Sequence, residues 1–315
     1  MSHDGEDLYG ILNERNIREV QFGTNKIFST WYGSNVYFDP DIRVLGYLAK
    51  SGSSGFDGSN GSNRVNNHEK EDTQYWLDTL YVCEYCFKYA DNGEDLASHA
   101  NHCKFQRHSP GKIKYKSPKY TVKRVKGSKH RLFCQCLCLF TKLFLDNKSM
   151  YFKVDHYEFY IIYETSSTKP LGFFSKDTVS YYQNNLACVL IFPPYQRRQL
   201  GTFLLDFSYK VSKSEGLISG PEFPLSPFGL IGYVKYWSLK ICWEFAEGEL
   251  ANLEKVTLED ISSVTGFRVN DIITALKYLE CLGDSNEIYL SILRKKLNRN
   301  GCKALVEDEF LLLED

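Results

Sequence analysis

The sequence predicts an α+β chain, with strand-rich and helix-rich stretches segregated along its length. Three observations carry this reading. β-rich runs cluster between Phe159 and Phe192, an amphipathic helix follows at once from Leu200 to Val211, and the part beyond Asn252 reads as two short helices around a turn. With 315 residues, 43% of them hydrophobic and 15% aromatic, the chain can bury a sizeable core and form one large or about two smaller domains. A disordered or fibrous chain is excluded. Lysine and arginine total 38 against 39 aspartates and glutamates, a formal charge of −1, so no basic coat covers the whole chain and a polyanion must be met locally. The ten cysteines are not a secreted framework: Cys134, Cys136 and Cys138 sit in one apolar run with no signal peptide ahead of them, which predicts a reducing, intracellular compartment. No apolar stretch approaches the roughly 20 residues that cross a bilayer, so a soluble chain without a membrane partner is expected. The sequons at Asn60 and Asn147 then carry no meaning.

Taken in order, Val36, Tyr37 and Phe38 followed by Asp39-Pro40 suggest short strands and a turn. Residues 51–72, rich in glycine, serine and asparagine, have no hydrophobic period and are expected to form a flexible insertion within a first domain over 1–110. Ordered structure restarts at Tyr75-Trp76-Leu77. Residues 111–131 hold nine lysines and arginines and no acid. Two readings stand: a solvated strand pair alternating apolar and basic residues, or an electrostatic footprint for phosphate or an acidic cofactor tail. Phe159–Glu164 and Leu171–Ser175, joined by a turn-forming SSTKP, predict an antiparallel hairpin, and the apolar LACVLIF run at 186–192 predicts a strand buried on both faces. Leu200, Phe203, Leu204, Phe207 and Val211 recur at helical spacing until Gly216 stops the helix. Ile218–Gly220 reads as a further short strand that ends at the proline-bracketed segment 221–227. A second domain is drawn over 111–250 and a third, resembling a helix-turn-helix, over 251–315. In the third, Thr257 is an N-cap type residue, Gly266 interrupts, and a helix runs from Val269 to Leu282. Its few basic residues, Arg268 and Lys277, favour packing or docking over reading a DNA groove.

Cys83-x2-Cys86, twelve residues, then His99-x3-Cys103 has the spacing of a tetrahedral zinc site. His102 competes, but paired with His99 it leaves two residues between ligands, shorter than the usual spacing, so Cys103 is preferred. Four protein ligands leave no open position for water, so one structural zinc ion is expected. Asp91, Glu94 and Asp95 would repel phosphate, which argues against DNA reading by this finger. Farther on, the strand, basic turn and helix from Leu186 to Val211 form a place for an anionic group. A helix N-terminus presents free N–H groups, and Arg197 and Arg198 in Gln196–Thr202 add two guanidinium groups.

These residues resemble a family. The run NNLACVLIFPPYQRRQLGTFLLDFSYKVSKSEGLISGPEFPLSPFGLIGYVKYW is similar to the acetyl-CoA and catalytic core of the MYST histone acetyltransferases, and LFLDNKSMYFKVDHYEFY to the segment upstream. The finger, TWYGSNVYF, PGKIKYK and TLEDISSVTGFRVNDIITALKYL fall in the family's order, and the likeness is closest to its silencing-associated budding-yeast branch. The resemblance implies a central GNAT-like, acetyl-CoA-binding mixed sheet with helices, flanked by an N-terminal C2HC zinc-finger domain and a C-terminal helix-turn-helix-like domain.

It implies Glu222 as general base, relieving the substrate lysine ammonium of its proton, since a lysine is almost fully protonated at neutral pH and is no nucleophile until then. Cys188 matches the cysteine beside the acetyl group; inside LACVLIF a small core role and direct attack are favoured over an acetyl-cysteine. Val189, Leu190 and Ile191, with Gln196, Arg197, Arg198, Gln199, Leu200, Gly201 and Thr202, match the cradle for pantetheine and pyrophosphate; Ser226 matches a further cofactor contact. Lys148 matches a lysine that family members autoacetylate. One departure stands in the turn, where Gln199 replaces a family glycine. If that position is left-handed, the side chain costs roughly 1–2 kcal/mol; if it is the first helical turn, glutamine is harmless. Implied partners are histone tails and nucleosomes, with a lysine of the H4 tail as acceptor, non-catalytic subunits of an acetyltransferase complex, and DNA along 111–131, in the nucleus on chromatin. The alternatives are a chromatin adaptor with a decayed core and an acetyltransferase on a non-histone amine.

Overall fold

In the first of the long strands Val20 and Phe22 are fully buried with Gln21 half-buried between them, the two-residue alternation of a sheet with one covered face, and Ile17 at the strand's start is buried too. A computed structural model describes residues 11–12, 14–39, 43–46, 75–145, 152–283, 287–293, 295 and 305–314. The expected insertion at 51–72 and Lys148 lie outside the described residues. In the N-terminal part, the strands are β1 (Ile11–Leu12), β2 (Ile17–Phe22), β3 (Lys26–Ser29), β4 (Gly33–Ser34), β5 (Leu77–Val82) and β6 (Tyr89–Ala90). β1 pairs with β4, and a four-stranded sheet has the order β3-β2-β5-β6. β2 and β5 are parallel, Ile17 opposite Leu77, so one sheet continues across the insertion. Where a strand was expected at Val36–Phe38 there is a single 3-10 turn, Asn35–Tyr37, followed by a bridge from Phe38 to Leu45.

Helix α1 (Gly93–His102) follows β6, and α2 (Arg131–Thr141) completes this unit. Phe133, Leu137 and Phe140 recur along one face of α2, and Phe140 stacks on Phe22 at 5.2 Å while Phe133 meets Phe87 at 5.7 Å. Contacts therefore group residues 1–109 with 130–154, and 110–129 with 155–315. In this grouping the helix at 131–141 falls with the first unit and the C-terminal helices fall with the sheet, and one division lies between 109 and 110.

The second unit holds a five-stranded antiparallel sheet of β7 (Lys112–Lys116), β8 (Tyr120–Lys126), β9 (Tyr157–Glu164), β10 (Pro170–Asp177) and β11 (Cys188–Ile191), in the order β11-β10-β9-β8-β7. The expected hairpin is β9–β10, with Phe174 opposite Tyr160 and their rings stacked at 4.7 Å. β11 is an edge strand with Cys188, Val189 and Ile191 half-buried, which corrects the expectation of burial on both faces. Its apolar residues read alike in either setting, because α3 (Leu200–Ser214) covers one side. That helix buries Leu200, Phe203, Leu204, Phe207 and Val211 as spaced. It ends in a Schellman motif, with Leu217 N–H to Ser212 O at 3.0 Å and Gly216 at φ 73°.

The basic strip 111–131 lies mostly in the β7–β8 pair. Lys114 is 2% exposed, and its ammonium donates to the carbonyls of Leu313 and Glu314 at 3.0 and 3.3 Å. Arg124 and Lys126 both lie 3.6 Å from Glu158. Lys112, Lys116, Lys119 and Lys129 stay exposed.

Helix α4 (Pro227–Ala246) had no counterpart in the sequence reading. It is apolar nearly all round and buries Tyr233, Tyr236, Trp237, Ile241 and Phe245, so it shows no single stripe to read. No described helix is long and apolar enough to cross a membrane. Beyond it, α5 (Leu258–Thr265) starts with a capping box between Thr257 and Asp260, and α6 (Val269–Tyr278) follows Gly266. Phe267, between them, is fully buried and meets the rings of Tyr209 and Tyr236 at 4.7 and 5.7 Å. The pair is thus fixed on the sheet's helices, in line with a packing role. The expected strand at Ile218–Gly220 is reduced to isolated parallel bridges, Ser219 to Phe267 and Pro221 to Leu186.

Asp271, on α6, is 3% exposed, and burial pushes its carboxyl up to about 6 against the opposing charge of Arg268. The folded chain therefore keeps a proton that the unfolded chain releases between about pH 4 and 6, and stability falls as pH rises through that window. Asp271→Asn is expected to melt at higher temperature than wild type above pH 6 and to lose this advantage below pH 4. Parallel melting curves across that range would refute the assignment.

Candidate active site and metal centre

The finger is built by a knuckle and a helix end. Cys83 follows β5 and its N–H donates to Lys88 O at 2.8 Å, while Phe87 closes the turn at φ 65°, held by its buried ring. His99 lies in the last turn of α1, and Cys103 is the residue capping that helix rather than a further member of its face. The four ligand atoms of Cys83, Cys86, His99 and Cys103 all lie within 4.8 Å of one another. Cys83 and Cys103 sulfurs stand 3.9 Å apart, and Cys86 Sγ is 3.2 Å from His99 Nε2. Zinc–sulfur bonds of about 2.3 Å at tetrahedral angles separate two thiolates by about 3.8 Å, so this donor set fits zinc. His102 points elsewhere: its Nδ1 is 3.0 Å from Ser98 O on the exposed side. Hydrogen bonding from the Cys86 thiol, opposed by burial and aided by the backbone N–H groups of Tyr85 and Cys86, holds the Cys83 thiol below its ordinary range, and the same sharing pushes Cys86 up.

In the second unit, β11 pairs among the described strands with β10 alone, so one backbone edge faces outward. Val189 and Ile191 are half-buried on it and Leu190 is buried. Gln196 Nε2 donates to Ile191 O at 2.9 Å and so closes the strand's end with its own side chain. Arg197 and Gln199 then both take left-handed angles, φ 62° and 60°. Gln199 is the N-cap of α3 and makes no side-chain cap bond, so it does not cap the first-turn amides. Two left-handed residues before a fifteen-residue helix curve the backbone into an anion-binding shape. Arg197 and Arg198 are exposed there, Arg198 with Glu164 at 3.9 Å and over the Tyr195 ring at 5.7 Å. Leu200, Gly201 and Thr202 form the first turn of α3, and Gly201 packs beside Ile191. The hydroxyl of Ser226 caps α4, accepting from Gly229 N–H at 3.1 Å.

Cys188 opens β11. Its Sγ is 3.0 Å from Ser175 Oγ, directly across the β10–β11 pair and fully buried. Sequence reasoning missed Ser175, although extending the antiparallel register to LACVLIF places it opposite Cys188. The exposed Glu222 reaches the same place by backbone pairing: its N–H donates to Leu186 O at 2.9 Å, and Asn185 N–H donates to Gly220 O at 3.0 Å. Only Ala187 separates Leu186 from Cys188, so the backbone of the Glu222 segment and the residue that opens β11, from distant parts of the chain, lie close together. The Phe223–Pro224 peptide that follows is cis.

An open strand edge leading through a left-handed turn into a helix N-terminus, with a carboxylate alongside, suits group transfer from a phosphate-bearing carrier, and the relatives fit that class. The chain is 64% identical over 313 residues, 98% of its length and 89% of the relative's, to histone acetyltransferase SAS2 of Saccharomyces cerevisiae. It is 39% identical over 206 residues to histone acetyltransferase MOF of Drosophila melanogaster and 37% over 207 to the Tip60 homolog of Caenorhabditis elegans. These matches cover 65% of this chain in each case, and 24% and 45% of the relatives. The protein is an acetyltransferase. Residues 108–310 match the MOZ/SAS family, and the chain belongs to that family.

Metal analysis of the purified chain is expected to find about one zinc per chain. Cys83→Ser should abolish binding and cooperative melting of the finger; a fully folded, zinc-free chain would refute the site. Replacing Gln199 with glycine removes a left-handed side chain and is expected to raise stability by about 1 kcal/mol. A fall in the denaturant midpoint would show instead that the glutamine side chain holds the turn.

Proposed function

We propose that the chain is a histone lysine acetyltransferase acting on the H4 tail by direct attack, with Glu222 as general base. The observation that supports this best is the pairing of the Glu222 segment with the strand entering β11, which brings a carboxylate beside Cys188 at an open edge. Acetyl-CoA, when bound, supplies the acetyl group as a thioester. Its amide-bearing arm suits the free edge at Val189, Leu190 and Ile191, and its phosphates suit the turn at Arg197, Arg198 and Gln199 and the first amides of α3. Gln196 and Ser226 contribute by shaping that backbone, since their side chains bond Ile191 O and Gly229 N–H.

Glu222 is exposed on a segment fixed by three prolines, where an incoming lysine can reach it. The carboxylate accepts one proton from the lysine ammonium, and the neutral amine becomes the nucleophile. Cys188 lines the site beside Ser175 and carries no acetyl group in this reading. The zinc ion at Cys83, Cys86, His99 and Cys103 is structural, with four protein ligands and no open position. Partner subunits of a nuclear, chromatin-bound complex direct the choice of histone. Exposed Lys112, Lys116, Lys119 and Lys129 give DNA a contact weaker than nine cations would, because Lys114 and Arg124 face inward.

Labelled acetyl-CoA and nucleosomes, with and without co-purifying subunits, test the proposal. Glu222→Gln is expected to lower kcat about 100-fold or more, whereas Cys188→Ala keeps most of it. Transfer that survives Glu222→Gln unchanged would remove the base assignment. No transfer by wild type under any condition would leave the adaptor reading.

A further inference from the structure

We propose that Arg268 is a positioning residue for the acetyl transfer, locking the segment that bears Glu222 against the loop that enters β11. This rests on the reading of Glu222 as the base. The guanidinium reaches two separate stretches of chain: it donates to Tyr182 O and to Asn184 Oδ1, both at 2.8 Å, and to Pro221 O at 3.4 Å. The first two belong to the loop before β11, and the third immediately precedes Glu222.

Arg268 is itself held firmly. It is the N-cap of α6, its carbonyl accepting from Asp271 and Ile272 N–H, and its neighbour Phe267 is fully buried. Ser219 N–H donates to Gly266 O at 3.0 Å. Residues 219–222 therefore run between two flanks, 185–186 on one side and 266–267 on the other, joined by backbone bonds to each. Gly220 makes this approach possible, because a Cβ there would lie 2.6 Å from Asp271 Oδ2 and 3.2 Å from Arg268 Cδ. A planar fork with five donors can serve three acceptors on two segments, which an ammonium on a flexible stem does less well. The helix pair α5–α6, with the outline of a DNA reader, thus acts as a clamp on the catalytic segment.

The test is a double-mutant cycle on the full chain with its co-purifying subunits, using nucleosomes and labelled acetyl-CoA. Arg268→Ala is expected to lower kcat about 100-fold, as ångström-scale misplacement of a catalytic group does, with KM for acetyl-CoA within about twofold. Arg268→Lys should lose about tenfold. In the Glu222→Gln background, Arg268→Ala should cost nothing further, because the group it positions is already gone. Full additivity with Glu222→Gln, or an unchanged rate for Arg268→Ala alone, would overturn the proposal while leaving the base in place. An unchanged rate for Glu222→Gln alone would instead remove the base reading and this proposal with it. Should Arg268→Ala fail to fold, Arg268→Lys and Gly220→Ala carry the same cycle, Gly220→Ala acting on the other face of the clamp.

Discussion

Among the described strands β11 hydrogen-bonds to β10 alone, and the edge on its other side governs how the second unit is put together. The approach of the two strands is close: a Cβ on Gly172 would meet Leu190 O at 2.6 Å, so only glycine lets β10 lie flat against β11 there. That contact sets the register in which Ser175 faces Cys188. The 220–222 segment pairs at the start of the outer edge, through Asn185 and Leu186, and the extended ligand proposed above would lie further along. A strand paired on both sides would bury the same apolar residues but offer no backbone groups to a carrier's amides.

The helices are arranged so that this edge stays open while everything behind it is filled. α3 covers β11 from Leu200 onward, its Phe207 meeting Tyr160 and Phe174 at 6.0 and 6.3 Å. Trp237 of α4 donates to the buried Tyr209 hydroxyl at 2.8 Å, and Phe267 packs on Tyr209 from the C-terminal pair. One aromatic cluster thereby joins α3, α4 and the α5–α6 turn. A buried aromatic cluster adapts poorly to displacement, since interiors are close-packed, so the 219–222 segment lying over it inherits a defined position. In the other unit the same economy holds on a smaller scale: Phe22, Phe87, Phe133 and Phe140 form the core against which the knuckle at Cys83–Lys88 closes.

Much of this was legible in the residues. The finger was readable because zinc demands fixed ligand spacing, and α3 because Leu200, Phe203, Leu204, Phe207 and Val211 repeat at the helical period. α4 was not, since a helix that is apolar nearly all round, even at the exposed Phe228 and Ile231, shows no polar face to set a period. The setting of β11 was misjudged because apolar content reports burial of side chains and says nothing of which backbone edge is paired. Gln199 raised a question of backbone angle that composition could not answer; its φ of 60° shows that the chain accepts a left-handed side chain at the entrance to α3. Family likeness supplied the candidate roles of Glu222 and Cys188, and the pairing at Leu186 shows how two remote segments meet.

Charge along 111–131 shows how sequence arithmetic is redistributed by folding. Nine cations suggested either a solvated strand pair or an electrostatic footprint for phosphate, yet Lys114 turns inward and its ammonium is satisfied by carbonyls of the chain's own C-terminal segment. That segment pairs with β7, Leu312 N–H to Lys114 O at 2.9 Å, and brings Asp308 to Lys210. The C-terminal segment is thus held at two places, by backbone and carbonyl bonds to the basic strand at Lys114 and by the ion pair of Asp308 with Lys210 of α3. The β7 edge, which would otherwise present unpaired groups for aggregation, is covered by the same residues. An alternating basic strand here serves first to hold the tail, and only its outward lysines remain for a phosphate backbone.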